Sequence, residues 1–250
     1  MTIDNFDIIK KHLDFKSPLD RYIVHILRRP KDCEELSNQL GSNEAQRLIR
    51  TYYIDSLEYF ERKIPAMKEL CHSCNARAYI IPQVKDNFEC LLNLGKKIFD
   101  TIQNKNYSVK PEHLIRQAYC EYHKSRKKVW ILDLDDEEMY GLKLEQVVEL
   151  VKKWLKEAGK SEDDMYVVPT KHGHHIITSP FNLQAAYKEC DMMFEGVKNR
   201  PLEPTIIDDK TFKMNYKQVT GWLHKDGMAL LYFHKDWFLE SGIISLWVSS

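Results

Sequence analysis

The chain of 250 residues lacks several features that mark particular classes of protein. It has no run of about 18 apolar residues, so we expect no membrane-spanning helix and no membrane partner. Neither sign of charge is in excess, because 37 Lys and Arg residues balance 37 Asp and Glu residues. A protein of this charge needs a local basic surface to bind nucleic acid. The first 15 residues include acids and no signal-like apolar core, so we expect a cytoplasmic protein.

Cysteine is also sparse, and we expect the six cysteines to be free thiols. One pattern has the spacing of zinc ligands: Cys71-x-x-Cys74 together with Cys120-x-x-His123. The alternative is that Cys71 and Cys120 are small apolar residues of two helices. Because a single CxxC pair without a second close pair is a weak signal, we do not expect a structural zinc.

The most informative stretch is KKVWILDLDDEE, residues 127–138. Its apolar run from Val129 to Leu132 is typical of a buried strand. Asp133 and Asp135 end that run, and alternation along a strand gives them the same face. Two carboxylates this close are costly to bury unless a cation lies between them. Hard oxygen ligands favour Mg²⁺ or Mn²⁺, so the stretch predicts a metal site.

The first half of the chain predicts mixed helices and strands. Apolar spacing indicates a helix over 4–14, strands over 21–29, 47–54 and 76–82, and a helix that follows an N-cap at Ser56. Pro65 within that helix predicts a kink or a break. A further helix is marked by Phe88, Leu91, Leu92 and Ile98 at helical spacing.

The second half has a regular order of elements. We predict a strand over 129–135, a helix over 144–158, strands over 165–169 and 175–178, a helix from Asn182 and a last strand over 228–233. This β-α-β-β-α-β order is that of the ferredoxin-like split βαβ arrangement. The predicted fold class is therefore α+β, with an N-terminal α/β half (1–125) packed on a C-terminal RRM-like, ferredoxin-like half (126–250).

A second motif, PTKHGHHIIT, occupies residues 169–178. Thr170, Lys171 and His175 offer hydroxyl, ammonium and imidazole donors that suit a polyphosphate. Gly173 permits a positive φ and a close approach of the backbone to a ligand. The plain alternative is a polar hairpin tip. Only one of His174 and His175 can share a face with the aspartates.

Together the two motifs resemble those of the archaeo-eukaryotic primase superfamily, which includes primase-polymerases. The match is Asp133-Leu134-Asp135 for the acidic motif and residues 170–175, TKHGHH, for the histidine motif, with His175 as the family's histidine. The resemblance covers about residues 129–233 and implies a DNA-templated nucleotidyltransferase with two bound Mg²⁺ or Mn²⁺ ions. It implies that the small residue and the histidine of the second motif contact the nucleotide's triphosphate. The chain departs from the pattern in having Thr170 where serine is commoner.

The third acid that this family uses for its metal site is not obvious. Asp208 and Asp209 are one candidate pair, and Asp226 is another; Asp208 is preferred, because the apolar residues 206–207 lead to it as in the first motif. If no third acid reaches the site, the chain is a non-catalytic relative. The expected partners are nucleoside triphosphates and a DNA template, with a helicase or another replication protein as a further candidate.

One arginine and one basic segment of the chain are candidate phosphate contacts. Arg77 in ARAYI is a candidate for bidentate binding of a nucleotide phosphate, or else a salt-bridged residue of an edge strand. The 105–128 segment is rich in lysine and arginine, and is either a nucleic-acid surface or a solvated helix face. Its candidate nucleic-acid contacts are Arg116, Lys124, Arg126, Lys127 and Lys128.

Two other functions remain open from the residues alone. One is a nucleic-acid-binding module without catalysis, which would use an RRM-like sheet and the basic segment. The other is a histidine-metal endonuclease of the replication-initiator kind, which requires two histidines spaced like His172 and His174 on one strand, and a nucleophilic tyrosine.

Overall fold

The computed structural model describes residues 1–29, 47–106, 108–121, 127–135, 143–193, 225–226 and 228–234. Within them the protein is a mixed α+β structure with two antiparallel sheets. The chain divides into two compact units. The second unit runs from Lys128 to Ala229, and the first contains the described residues before and after it. The first boundary lies two residues beyond the one expected from the sequence, and the last strand belongs to the first unit except for its first residue, Ala229.

The first unit contains a five-stranded sheet in the order β1-β9-β4-β2-β3. Its central strands are rich in β-branched and aromatic residues, as expected for strands that are covered on both faces. The strands are β1 (Thr2–Asp4), β2 (Asp20–Arg28), β3 (Arg47–Ile54), β4 (Arg77–Asp86) and β9 (Ala229–His234).

The helices of the first unit begin at recognisable capping residues. Ser56 Oγ accepts a hydrogen bond from the Tyr59 amide, 3.2 Å away, at the N-terminus of α2. Asp86 caps α3 in the same way through the amides of Phe88 and Glu89. The helix containing Pro65 continues through it, so the proline does not end the helix. The helices are α1 (Phe6–Lys10), α2 (Leu57–Ser73), α3 (Asn87–Gln103) and α4 (Pro111–Cys120).

The predicted helix over 4–14 is wrong at its N-terminus. Residues Thr2–Asp4 form a strand instead, and only a short helix follows. The reason is tertiary: Ile3 pairs with Phe233 on β9, and the Asn5 amide donates to the Leu231 carbonyl at 2.8 Å. The pairing with a strand from the far end of the chain overrides the local helical pattern.

The second unit contains a four-stranded sheet in the order β6-β7-β5-β8, and all its described pairings are antiparallel. Its strands are β5 (Trp130–Asp135), β6 (Met165–Pro169), β7 (Gly173–Thr178) and β8 (Lys225–Asp226). Helix α5 (Leu144–Glu157) connects β5 to the β6–β7 hairpin, and helix α6 (Leu183–Met193) follows β7.

Both helices of the second unit pack on one face of its sheet. That face receives every second residue of β5, including Leu132 and Leu134, together with Ile176 of β7. Trp154 of α5 adds a hydrogen bond from its Nε1 to Glu189 Oε2 of α6 at 2.8 Å. The buried residues of this core are Leu132, Leu134, Val147, Val151, Trp154, Leu155, Ile176, Phe181 and Ala186.

The last predicted strand exists but does not complete the second sheet. Residues Ala229–His234 lie in the first sheet and pair there with β1. The outer position beside β5 is taken by the two-residue strand β8, in which Asp226 pairs with Ile131. Two residues are too few to give an alternation pattern, so the sequence offers no signal for this strand.

Candidate active site

The centre of the candidate site is a cross-strand pair on the face opposite the two helices. Asp133 of β5 lies directly opposite His175 of β7. His175 Nε2 is 3.2 Å from Asp133 Oδ1. Residues directly opposite in an antiparallel pair share a face, and Leu132 and Leu134 pack on the other one. The alternation that the sequence predicts thus separates the aspartate from the helix-covered core.

The two members of this pair differ in exposure. The His175 side chain is 6% exposed, whereas that of Asp133 is 39% exposed. On its other side His175 lies opposite Val168 of β6, which is fully buried. The imidazole is therefore held in place by packing, while the carboxylate remains open to water and to a ligand.

Two further acids lie on the same face by register. The backbone of Asp135 pairs with Gly173, two positions along from the Asp133–His175 pair. On the other side of β5, Asp226 pairs with Ile131. Since Ile131, Asp133 and Asp135 alternate onto one face, Asp226 occupies that same face of the neighbouring strand. For Asp135 and Asp226 it is the backbone register that defines this face.

The histidine motif forms a tight hairpin between β6 and β7. The Thr170 amide donates to the Gly173 carbonyl at 2.8 Å, which leaves Lys171 and His172 as the two loop residues. Strand β7 therefore begins at Gly173, two residues before the strand predicted over 175–178. Gly173 does not adopt the positive φ that glycine permits, because Gly159 alone among the described glycines has one. Strand pairing requires an extended backbone at Gly173.

The three histidines of the motif occupy different environments. His175 faces Asp133, His172 is exposed in the loop, and His174 lies on the opposite face beside Leu134 and Pro169. The His174 Nδ1 atom is buried without a hydrogen-bond partner. Because His172 and His174 do not share a strand, the arrangement that a histidine-metal endonuclease requires is not formed by these two residues.

Arg77 lies in the first unit, in a setting that the sequence does not reveal. It is 5% exposed, and β4 is an inner strand of the first sheet, so the edge-strand interpretation is wrong. Its guanidinium carbon lies 4.7 Å from the ring centroid of Phe233, and Nη1 is 3.5 Å from the Tyr79 hydroxyl. Stacking on an aromatic ring is a structural role for arginine. The binding of a nucleotide phosphate by Arg77 stays a prediction.

Only part of the predicted basic segment is described. Arg116 on α4 contacts His113 Nδ1 at 2.9 Å, and Lys127 and Lys128 are exposed just before β5. Lys124 and Arg126 lie outside the described residues. The preferred third acid, Asp208, also lies outside them.

The cysteines with zinc-like spacing do not come together. Cys71 lies near Tyr52, whereas Cys120 lies near Tyr53. Consecutive residues of β3 point to opposite faces of the first sheet, so these two thiols are on opposite sides of it. Burial raises the pKa of Cys71 to about 12, which disfavours the thiolate that zinc binds. His123 lies outside the described residues.

Among the side chains that the structure describes, no three or more His, Cys, Asp or Glu residues are grouped so that they could hold a metal ion. No helix of the described part is long and apolar enough to cross a membrane. Comparison of the chain with protein-family models, curated proteins and solved structures found no match.

Proposed function

We propose that the protein is a metal-dependent nucleotidyltransferase of the primase-polymerase type, which joins nucleotides on a DNA template. The observation that supports it most is the Asp133–His175 pair, in which a half-exposed carboxylate and a buried imidazole face each other across two strands. This is the juxtaposition that the two sequence motifs require. It lies on the sheet face that carries no helix of the second unit's core.

The proposed fold of the second unit is ferredoxin-like. The sheet order β6-β7-β5-β8 with antiparallel neighbours supports it, because a split βαβ unit followed by a second helix and strand gives this order. The packing of α5 and α6 on one face supports it further. In such a unit the candidate chemistry lies on the face of the two inner strands, here β5 and β7, that is opposite the helices, where Asp133 is the partly exposed member of the described pair.

A divalent metal ion fits the donor chemistry of this face. Asp133 supplies an accessible carboxylate, and Asp135 and Asp226 share its face by register. Carboxylate oxygens are the ligands that Mg²⁺ and Mn²⁺ prefer. When bound, such ions would stabilise negative charge on the attacking and leaving oxygens of an in-line displacement.

Asp226 is our candidate for the third carboxylate. It is diagonal to Asp133 across the β5–β8 pair, and diagonal neighbours in a sheet lie about 7–8 Å apart at Cα, within reach of one shared cation. Asp208 remains the candidate from sequence alone. Of these two aspartates only Asp226 lies within the described residues, and its backbone register puts it on the same sheet face as Asp133.

The proposed nucleotide site is the hairpin beside this pair. Thr170 pairs with Gly173 and therefore shares the face of His175, and Lys171 occupies the loop next to it. A hydroxyl and an ammonium group at this position are suitable donors for a triphosphate. His175 has a positioning role in addition, because its Nε2 lies against Asp133 Oδ1 and fixes that carboxylate.

The experiment is a strand-synthesis assay with purified protein, nucleoside triphosphates, Mn²⁺ or Mg²⁺, and primed and unprimed single-stranded templates. We expect incorporation by the wild type and none by Asp133→Asn. The matched control is Asp163→Asn, an exposed acid of the same unit that lies away from the site. No incorporation by a folded wild type under any combination of metal and template would reject the proposed activity.

A non-catalytic nucleic-acid-binding module is the second candidate. Tyr166 favours it, because it pairs with Ile177 and so lies on the same sheet face as the candidate site, partly exposed. Aromatic side chains on an open sheet face stack on unpaired bases. Binding of a single-stranded oligonucleotide that is lost in Tyr166→Ala but unaffected by chelator and by Asp133→Asn would favour this function over catalysis.

A further inference from the structure

Helix α3 presents its apolar side to solvent and its polar side to the protein. Cys90 is its fully buried residue, Asn93 Nδ2 donates to the Ala118 carbonyl at 3.1 Å, and Lys97 forms an ion pair with Glu121. Leu94 also lies on this side, whereas the other six large apolar residues of the helix lie on the opposite side and are exposed. A helix with this orientation has an apolar face that its own described neighbours do not cover.

The exposed stripe, which we call the Gly95 face, is large. Its six apolar side chains are 42–66% exposed. Aromatic side chains alone present about 150–250 Å², so six half-exposed large side chains amount to on the order of 500 Å², the upper range for a monomer's largest patch. The face consists of Phe88, Leu91, Leu92, Gly95, Ile98, Phe99 and Ile102.

We propose that a second copy of this chain covers the Gly95 face, with the two α3 helices antiparallel about a two-fold axis at Gly95. Two such faces would bury about 1,000 Å² in total, which is the lower limit for a specific interface. The face runs along about 21 Å of helix at 1.5 Å per residue, which is enough for a complete helix–helix contact.

The arrangement of the face supports a two-fold contact. Its apolar residues lie three, four and seven positions before and after Gly95. An isologous antiparallel contact pairs each residue with the one equally far on the other side of the axis. Amphipathic helices repeat at these spacings in general, so the informative point is that the central residue is a glycine. The resulting partners are Phe88 with Ile102, Leu91 with Phe99, and Leu92 with Ile98.

Gly95 has no local reason to be a glycine. It lies within α3, has no positive φ, and a Cβ added there would meet nothing within 4 Å. Glycine in a helix interior costs about 1 kcal/mol relative to alanine. A glycine at the crossing point of two helices lets their backbones approach closely, which gives this residue a role in the dimer that it lacks in the monomer.

The first test measures mass. Sedimentation equilibrium of the full chain should give twice the 29.7 kDa of one chain at micromolar concentration. Phe99→Glu should raise the dissociation constant at least about 100-fold, because the two-fold axis repeats the buried charge. The control is Leu57→Glu, which alters a 41%-exposed leucine in the first turn of α2 and should leave the mass unchanged.

The second test examines the crossing point. Gly95→Leu adds apolar surface, so it would strengthen any unspecific association, but it separates two helices that cross at Gly95 and should weaken the dimer at least about tenfold. Gly95→Cys should form a disulfide-linked dimer on mild oxidation, identified by peptide mass spectrometry. Lys96→Cys, about 100° further around the helix, should not, because thiols link only at Cα distances below about 7 Å.

The outcomes separate the possible occupants of the face. A wild type that remains at the mass of one chain overturns the proposal and leaves the face to a segment such as 235–250, which is rich in apolar residues, or to another protein. A dimer that is insensitive to Phe99→Glu, or strengthened by Gly95→Leu, also overturns it. None of these results depends on whether the protein synthesises nucleic acid.

Discussion

Asp133 and His175 form a cross-strand pair in which the imidazole Nε2 lies 3.2 Å from the carboxylate Oδ1. The pair joins two motifs that are separated by a helix, a short 3₁₀ turn and a strand along the chain. The two inner strands of the second sheet thus bring a partly exposed acid and a buried histidine to one point on the face opposite α5 and α6.

The interaction between these two side chains can be measured directly. In a double-mutant cycle of Asp133→Ala and His175→Ala, we expect a coupling of about 0.5–1 kcal/mol in the free energy of unfolding, since the carboxylate is open to water. Urea denaturation of the four proteins gives the value. The matched cycle of Asp163→Ala with His175→Ala should show no coupling. Equal couplings in the two cycles would mean that the contact contributes nothing specific.

The identity of the third carboxylate gives a second prediction. If the register of β8 brings Asp226 to the proposed metal, both Asp226→Asn and Asp133→Asn should weaken Mn²⁺ binding at least about tenfold, or about 1.4 kcal/mol. Titration followed by electron paramagnetic resonance of free Mn²⁺ measures this without an activity assay. Loss of affinity in Asp208→Asn but not in Asp226→Asn would reverse the assignment.

The strands that carry the site could be predicted because their signals are local. The apolar run before Asp133 and the short run 175–178, which contains two isoleucines, indicate strands, and side chains alternate between the two faces of any strand. The same holds for the cap at Ser56, where a hydroxyl precedes an amphipathic run. Pairing of β5 with β7 follows from the element order, so the approach of Asp133 to His175 was within reach of sequence reasoning.

What could not be predicted depends on contacts between distant parts of the chain. The strand predicted over 228–233 is expected in the second sheet, yet residues 229–234 lie in the first sheet between β1 and β4. A helix's apolar stripe predicts a buried side, yet α3 buries its Cys90 side instead, because α4 packs there. Local periodicity gives the type of an element but not the neighbour that covers it.

Pro65 gives a prediction on stability. The proline is exposed and lies inside α2, where it removes a backbone hydrogen bond without ending the helix. Pro65→Ala should therefore raise the free energy of unfolding by about 1–3 kcal/mol. The neighbouring Ala66→Gly, also exposed, should lower it by about 1 kcal/mol. Urea denaturation measures both changes, and no gain in Pro65→Ala would show that α2 requires the proline's geometry.

His25 gives a prediction on pH. It is 5% exposed, its Nδ1 lies 3.0 Å from Thr51 Oγ1, and burial, with the Arg116 charge as a smaller cause, lowers its pKa from 6.5 to about 4. Between these two pH values the unfolded chain binds a proton at this histidine and the folded chain does not. The contribution of neutral His25 to the free energy of unfolding is therefore fully present above about pH 6.5, and it is lost as the pH decreases towards about 4.

The size of this effect is set by the slope of up to about 1.4 kcal/mol per pH unit for one proton. His25→Gln removes the titrating group and keeps an amide that can bind Thr51, so its free energy of unfolding should fall less steeply than that of the wild type between about pH 6 and about pH 4.5. The control His113→Gln, at an exposed histidine of α4, should keep the wild-type slope. If His25→Gln and the wild type have parallel pH profiles, His25 is protonated in the folded protein, and the burial that we describe around it does not exclude the charge.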